Sequence, residues 1–357
     1  MTANAASDAI QTLDEAYQRL HKTGPEFEGW LSNHGPMAIE AMARHGHAGD
    51  VDRWLQSYLR RLEDFPPGSG PIGADWREAL GNPRRIADWT VFFLAEVADQ
   101  PWRDVLGTWW PRLLPGAVAS ATHGIIRVGH AVRALLADGD DPDHVAELAH
   151  GLAYWAARWQ PIPGTEVRQA AVLTPGAALA AVPRIADQSG GFRVRMPRLA
   201  ELAGWPAALA APIPRGSAQE TLAWLTGLAD AAVFGYLEYG HGSPVMLVHA
   251  ATAPAAVLRT LPALNRDLWA ASAAAAWQAA AVITAIYAPA VPGSPATPLT
   301  VPAGPAAADT AFAQAVDHGD EHVIKFADAA IDVYDRTGNQ AALTAAVYAA
   351  EIVPREA

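Results

Sequence analysis

The sequence predicts an all-α protein. Three observations carry that reading. Apolar residues recur at helical spacing along most of the chain, no stretch alternates apolar and polar residues over strand length, and Pro and Gly concentrate in two regions.

The elements follow in order. Over residues 6–21, Ile10, Leu13, Tyr17 and Leu20 fall on one stripe. A helix over 36–44 starts with Pro36 in its first turn, where a missing N–H costs nothing. Over 51–62, Val51, Trp54, Leu55, Tyr58 and Leu62 share a face. The same pattern predicts helices at 84–98, 102–114, 124–136 and 142–159. In the second half it predicts 218–237, 244–261, 264–287, 306–316, 321–336 and 340–352. Loops are expected over about 160–198 and over 289–305, the latter with six prolines in seventeen residues. No repeat is visible, and residues that could do chemistry come from both halves. The expectation is therefore one large helical domain over 1–357, with its site in the helical core.

Composition narrows the function. At 51% hydrophobic and 17% charged, the 357 residues must fold. With no Cys, disulfides, iron–sulfur clusters, thiolate zinc sites and a thiol nucleophile are all excluded. A net charge of −12 argues against a nucleic-acid partner. The first twenty residues hold Asp8, Asp14 and Glu15 and no apolar run, so no secretory leader is expected. The apolar stretch 268–291 is rich in Ala and interrupted by Ser272, Gln278 and Thr284, which reads as a core helix with no membrane role. A soluble, cytoplasmic protein is expected. All its cations but Lys22 and Lys325 are Arg.

Two motif matches are weak. Gly68-Ser69-Gly70-Pro71-Ile72-Gly73 matches the dinucleotide fingerprint, but a helix precedes it where a strand is needed, and Pro71 removes an amide; it reads as a turn. His318-Gly319-Asp320-Glu321-His322 matches the inverted zinc-peptidase pattern. Gly319 and the acidic run place a helix start inside it, which would keep His318 off the face of His322.

Four other stretches stand out: Ser32-Asn33-His34-Gly35-Pro36-Met37, Thr122-His123-Gly124-Ile125-Ile126-Arg127, Val248-His249-Ala250-Ala251-Thr252-Ala253-Pro254 and Asp320-Glu321-His322-Val323-Ile324-Lys325. Each sets an imidazole at or inside a helix among small or apolar neighbours. One such His is usually a satisfied core residue; four in a Cys-free helical protein point to a metal such as Fe, Zn, Cu or Ni. Lys325 shares a face with His322 at a spacing of three. It either snorkels from a half-buried face or is desolvated to a neutral amine, able to act as a base, form a Schiff base or take up CO₂ as a carbamate. His45, His47 and His144 read as solvated helix-end residues, and His21 as a helix C-terminal cation. His130, seven residues after His123, is a candidate supporting residue, while His150 and His241 are undecided. Among the 13 Trp, Trp109-Trp110, Trp155 with Trp159, and Trp89 with Phe92 and Phe93 read as core anchors that could also wall an aromatic pocket.

Together the stretches SNHGPMAIEA, THGIIRVGHA, LVHAATAPAA and DEHVIKFADA resemble the questin oxidase family, in family order, from Asn33 to Lys325. The resemblance implies an all-α, haem-free Fe(II) dioxygenase that uses O₂ to open the quinone ring of an anthraquinone-like substrate. It further implies a metal held by His34, His123, His249 and His322 with Lys325 carboxylated on its amine. Beside it, spacing alone suggests Arg127, one turn after His123, as a holder of a carbamate or oxyanion, and Glu40, near His34, as an orienter of a ligand imidazole. Two other classes remain: a zinc hydrolase centred on His318, Glu321 and His322, and a non-catalytic carrier of an aromatic ligand.

Overall fold

The structure is a computed structural model that describes residues 3–163, 173–210, 216–296 and 299–355. Parts of both expected loops, residues 164–172 and 297–298, lie outside that set. The described chain is all-α; its only strands are the two-residue pair β1 (Glu26–Phe27) and β2 (Leu31–Ser32), antiparallel with Glu26 opposite Ser32. It divides into two compact units, residues 1–160 with 262–265, and 161–261 with 266–357.

The first unit holds α1 (Ala3–Leu20), α2 (Gly35–Arg44), α3 (Ala48–Leu59), α4 (Ile86–Asp99), α5 (Trp102–Leu113), α6 (His123–Asp138) and α7 (Pro142–Arg158). Helix α2 packs on α1, α3 and α6, and α7 packs on α4 and α6. Start signals are local: Asp141 accepts from the Asp143 amide at the head of α7, with Pro142 in the first turn. Between α4 and α5 the Trp109 ring meets Trp89, Phe92 and Phe93 edge to face, a cluster that anchors the two helices on one another.

The second unit holds α8 (Pro175–Ala180), α9 (Phe192–Arg195), α10 (Trp205–Leu209), α11 (Ala218–Tyr239), α12 (Pro244–Leu247), α13 (His249–Thr260), α14 (Trp269–Tyr287), α15 (Ala307–His318), α16 (Glu321–Thr337) and α17 (Gln340–Ile352). Helices α11, α13 and α14 pack mutually, as do α15, α16 and α17. Ser217 and Glu220 form a capping box at the head of α11. Helix α14 is long and apolar enough to cross a membrane, yet 72% of that window is buried within the protein, as suits a core helix. Two expectations shift. The single helix expected over 244–261 is interrupted at Val248, and the loop expected over 160–198 contains α8 and α9.

Helices α6 and α7 meet where they lack side chains. A Cβ on Gly124 would lie 2.7 Å from Trp155 Cβ and 2.9 Å from its Cα, and one on Gly151 would lie 3.2 Å from Val128 Cγ2. Gly124→Ala therefore pushes the helices apart at the residue after His123. The expected loss is about 1–3 kcal/mol, read as a lower urea midpoint with an unchanged slope; an unaltered midpoint would contradict the close crossing.

Candidate metal centre

Each unit holds a pair of buried imidazoles that could serve as metal ligands. In the first unit, His34 stands at the N-terminal boundary of α2, just after β2. Its backbone amide donates to Tyr58 Oη at 2.6 Å. Asn33 fixes the same corner, accepting from the Gly35 amide at 2.9 Å and donating to the Gly24 carbonyl at 3.2 Å. His123 opens α6 and follows Ser120, Ala121 and Thr122, three consecutive left-handed residues with φ of 47°, 53° and 75°. None is glycine, so the turn is strained. The strain has a visible product: His123 Nδ1 donates to the Ser120 carbonyl. A carbonyl can only accept, so this bond assigns the proton to Nδ1 and leaves a lone pair on Nε2. That Nε2 faces His34 Nε2 at 2.6 Å.

The second unit repeats the device. His249 opens α13, and its Nδ1 meets the Met246 carbonyl at 3.1 Å, which again leaves Nε2 as the ligand atom. His322 lies in the first turn of α16, where Asp320 caps the helix by accepting from the His322 amide at 2.7 Å and the Val323 amide at 3.2 Å. The same Asp320 oxygen is 3.3 Å from His322 Nδ1. Burial opposes the charge on Asp320, but the hydrogen bond and charge of His322 outweigh it and hold its pKa down at about 2. The His249 and His322 rings meet edge to face at 5.5 Å between centroids. Arg259 on α13 bridges Asp328 at 2.7 Å and Asp332 at 2.8 Å, bracing α13 against α16.

Lys325 lies one turn beyond His322 with 0% exposure, and its Nζ has no hydrogen-bond partner among the described residues. Burial pushes its pKa down to about 7, against a smaller upward pull from Glu321 and Asp320. A fully buried, unpaired ammonium is costly, and a neutral amine is how a protein avoids it.

The supporting roles proposed from spacing are redistributed. Glu40 does not turn to His34: six residues on, it lies about 240° around the helix. Its carboxylate instead takes His130 Nδ1 at 2.7 Å and Arg133 Nε at 2.8 Å. Arg127 makes a two-pronged pair with Glu147 through Nε and Nη2, at 2.5 and 2.8 Å. His130 belongs to the Glu40 cluster. His21, expected as a helix C-terminal cation, bonds Glu147 at 2.8 Å and stacks on His150 at 4.1 Å. The spacing of the sequence gives no sign of Glu147, because its partner sits twenty residues away on the neighbouring helix.

The weak motifs resolve as well. Asp88 Oδ1 accepts from the Ser69 and Gly70 amides at 2.8 and 3.1 Å, so the glycine-rich turn spends on a carboxylate the donors a phosphate would need. His318 ends α15, Gly319 breaks the chain at φ 89°, and α16 starts at Glu321. His318 Nε2 meets the Val353 carbonyl at 3.1 Å, so no chelating pair forms on one helix.

Two outcomes test these assignments. Ala121→Gly relieves one left-handed residue and should raise stability by roughly 0.5–1 kcal/mol while lowering metal affinity, because His123 loses its fixed aim; loss of stability would show that the turn is unstrained. Glu40 and Glu147 carry pKa values of about 2 against an ordinary 4.5; burial opposes their charge, and the Arg partners overcome it. Since the folded value is the lower one, their stabilisation is full above about pH 4.5 and drains away as pH falls toward about 2. Glu147→Gln strands a buried Arg127, so it should cost about 3–5 kcal/mol near neutral pH and flatten the acid limb of urea stability; an acid limb as steep as wild type would assign it to other carboxylates. Compared with known proteins, the chain matches no protein-family model and no curated protein.

Proposed function

We propose that the protein is an O₂-dependent oxidoreductase that holds one Fe(II) through His34, His123, His249, His322 and a carboxylated Lys325, and opens the ring of a polycyclic aromatic quinone. The observation that carries the reading is Lys325: the chain has two lysines, and this one is fully buried on the His322 helix with no hydrogen-bond partner among the described residues.

The donor chemistry fits. His123 and His249 both tie Nδ1 to a carbonyl three residues back, so each offers Nε2. Imidazole suits iron, copper and zinc alike; an anionic oxygen ligand tips the balance toward a metal that must reach a higher oxidation state. A neutral Lys325 amine supplies that ligand by attacking CO₂: an N–C bond forms, one amine proton leaves, and the product is an anionic carbamate. Arg cannot do this, because it stays protonated. Bound iron would supply the activation of O₂ that no protein side chain provides.

The residues around the centre have holding tasks. Asp320 orients His322 and the left-handed turn aims His123. A cavity of about 350 Å³ in the second unit is lined by Phe234, Tyr236, Tyr239, Leu247 and Ala250, the last adjacent in sequence to His249. Its size and aromatic lining suit a flat small molecule.

The test is metal content and O₂ uptake with a hydroxyanthraquinone. About one iron per chain and saturable O₂ consumption are expected, and Lys325→Arg should lower turnover at least a hundredfold. In Lys325→Ala, added short-chain carboxylates should restore part of the activity by occupying the carbamate's position. Full activity in Lys325→Arg would remove the carbamate. Tight quinone binding without O₂ uptake would make the protein a carrier, and O₂-independent turnover with zinc would make it a hydrolase.

A further inference from the structure

The turn joining α6 to α7 gathers a different set of ligands in the first unit. Asp14 from α1, Asp141 at the head of α7 and His144 in its first turn each present one ligand atom, all within 4.8 Å of one another. His144, expected from its polar neighbours to be solvated, is 0% exposed. Its ring is packed edge-on by Tyr17 at 5.6 Å, yet neither ring nitrogen makes a hydrogen bond among the described residues. Nε2 lies 3.1 Å from Asp14 Oδ1, which also makes none, and Nδ1 lies 3.9 Å from Asp138 Oδ2.

A nitrogen and an oxygen this close without hydrogen-bond alignment are placed as two ligands of one ion. Ligands about 2.1 Å from a cation, at about a right angle, stand about 3 Å apart. The charge points the same way. Among the described residues no Lys or Arg pairs with Asp14, Asp138 or Asp141. The neighbouring acids are already engaged: Asp140 takes Trp102 Nε1 at 2.6 Å, and Asp143 takes Gln18 Nε2 at 2.8 Å.

We propose that Asp14, Asp141 and His144 hold a divalent first-row cation, independent of the four-histidine centre. One nitrogen with two carboxylates suits Mn²⁺ or Zn²⁺. The ion would staple the N-terminal helix α1 to the α6–α7 turn, so its binding energy adds to the stability of the first unit.

The experiment titrates metal-stripped protein with Mn²⁺ and, separately, Zn²⁺ by calorimetry, in a His34→Ala/His249→Ala background that disables the other centre. One equivalent should still bind and raise the thermal midpoint. His144→Gln and Asp14→Asn, added singly, should each weaken binding at least tenfold and abolish the rise. Should the background variant not fold, the same two substitutions in the otherwise unchanged chain should lower bound metal by one equivalent while leaving O₂ uptake in place. Absence of saturable binding, or binding indifferent to both substitutions, overturns the site whatever becomes of the proposed oxygenase.

Discussion

An imidazole buried in a helical core must be told which nitrogen carries its proton. A neutral ring has one donor and one acceptor, and an unmatched one costs on the order of 1–3 kcal/mol in a dry interior. His123 and His249 answer with the same local device, a carbonyl three residues upstream that takes the Nδ1 proton. Much of the surrounding architecture serves it: each of these two histidines opens its helix, because only there does the preceding turn leave a carbonyl aimed at the ring. The price at His123 is a left-handed backbone over three residues without glycine.

Charge inside the first unit obeys a related constraint. Glu40 and Glu147 are almost fully buried, and each is matched by one Arg and one His. These clusters tie α2 to α6, and α7 to α6 and α1. Removing one partner strands the others, so such networks resist piecemeal change. In both clusters the basic groups converge on a buried carboxylate, the arrangement of a brace between helices.

The helices were legible because their apolar stripes and caps are local. Helix α17 starts and ends where periodicity puts it, and the break at Gly319 follows from a left-handed glycine before an Asp cap. The four histidine stretches were legible as a set, and the sealing of Lys325 agrees with its place among apolar residues. What spacing could not give was direction. Glu40 is near His34 in sequence but faces another helix, and Arg127 shares a face with His123 yet reaches across to α7. His144 looked solvated because its sequence neighbours are acidic, whereas in space they enclose it. The left-handed run before His123 carries no glycine, the usual sign of such a turn.

That run bears on how the first unit comes apart. A corner held against its own backbone preference persists only while both flanks are folded, so local opening there gains energy that opening of α7 or α4 does not. The start of α6 is therefore the natural place for the unit to fray, and its first loss is the aim of the His123 ring. Heat would disorder the His123 ring before it melted the core, so any ligand that pins the ring would lengthen the protein's working life.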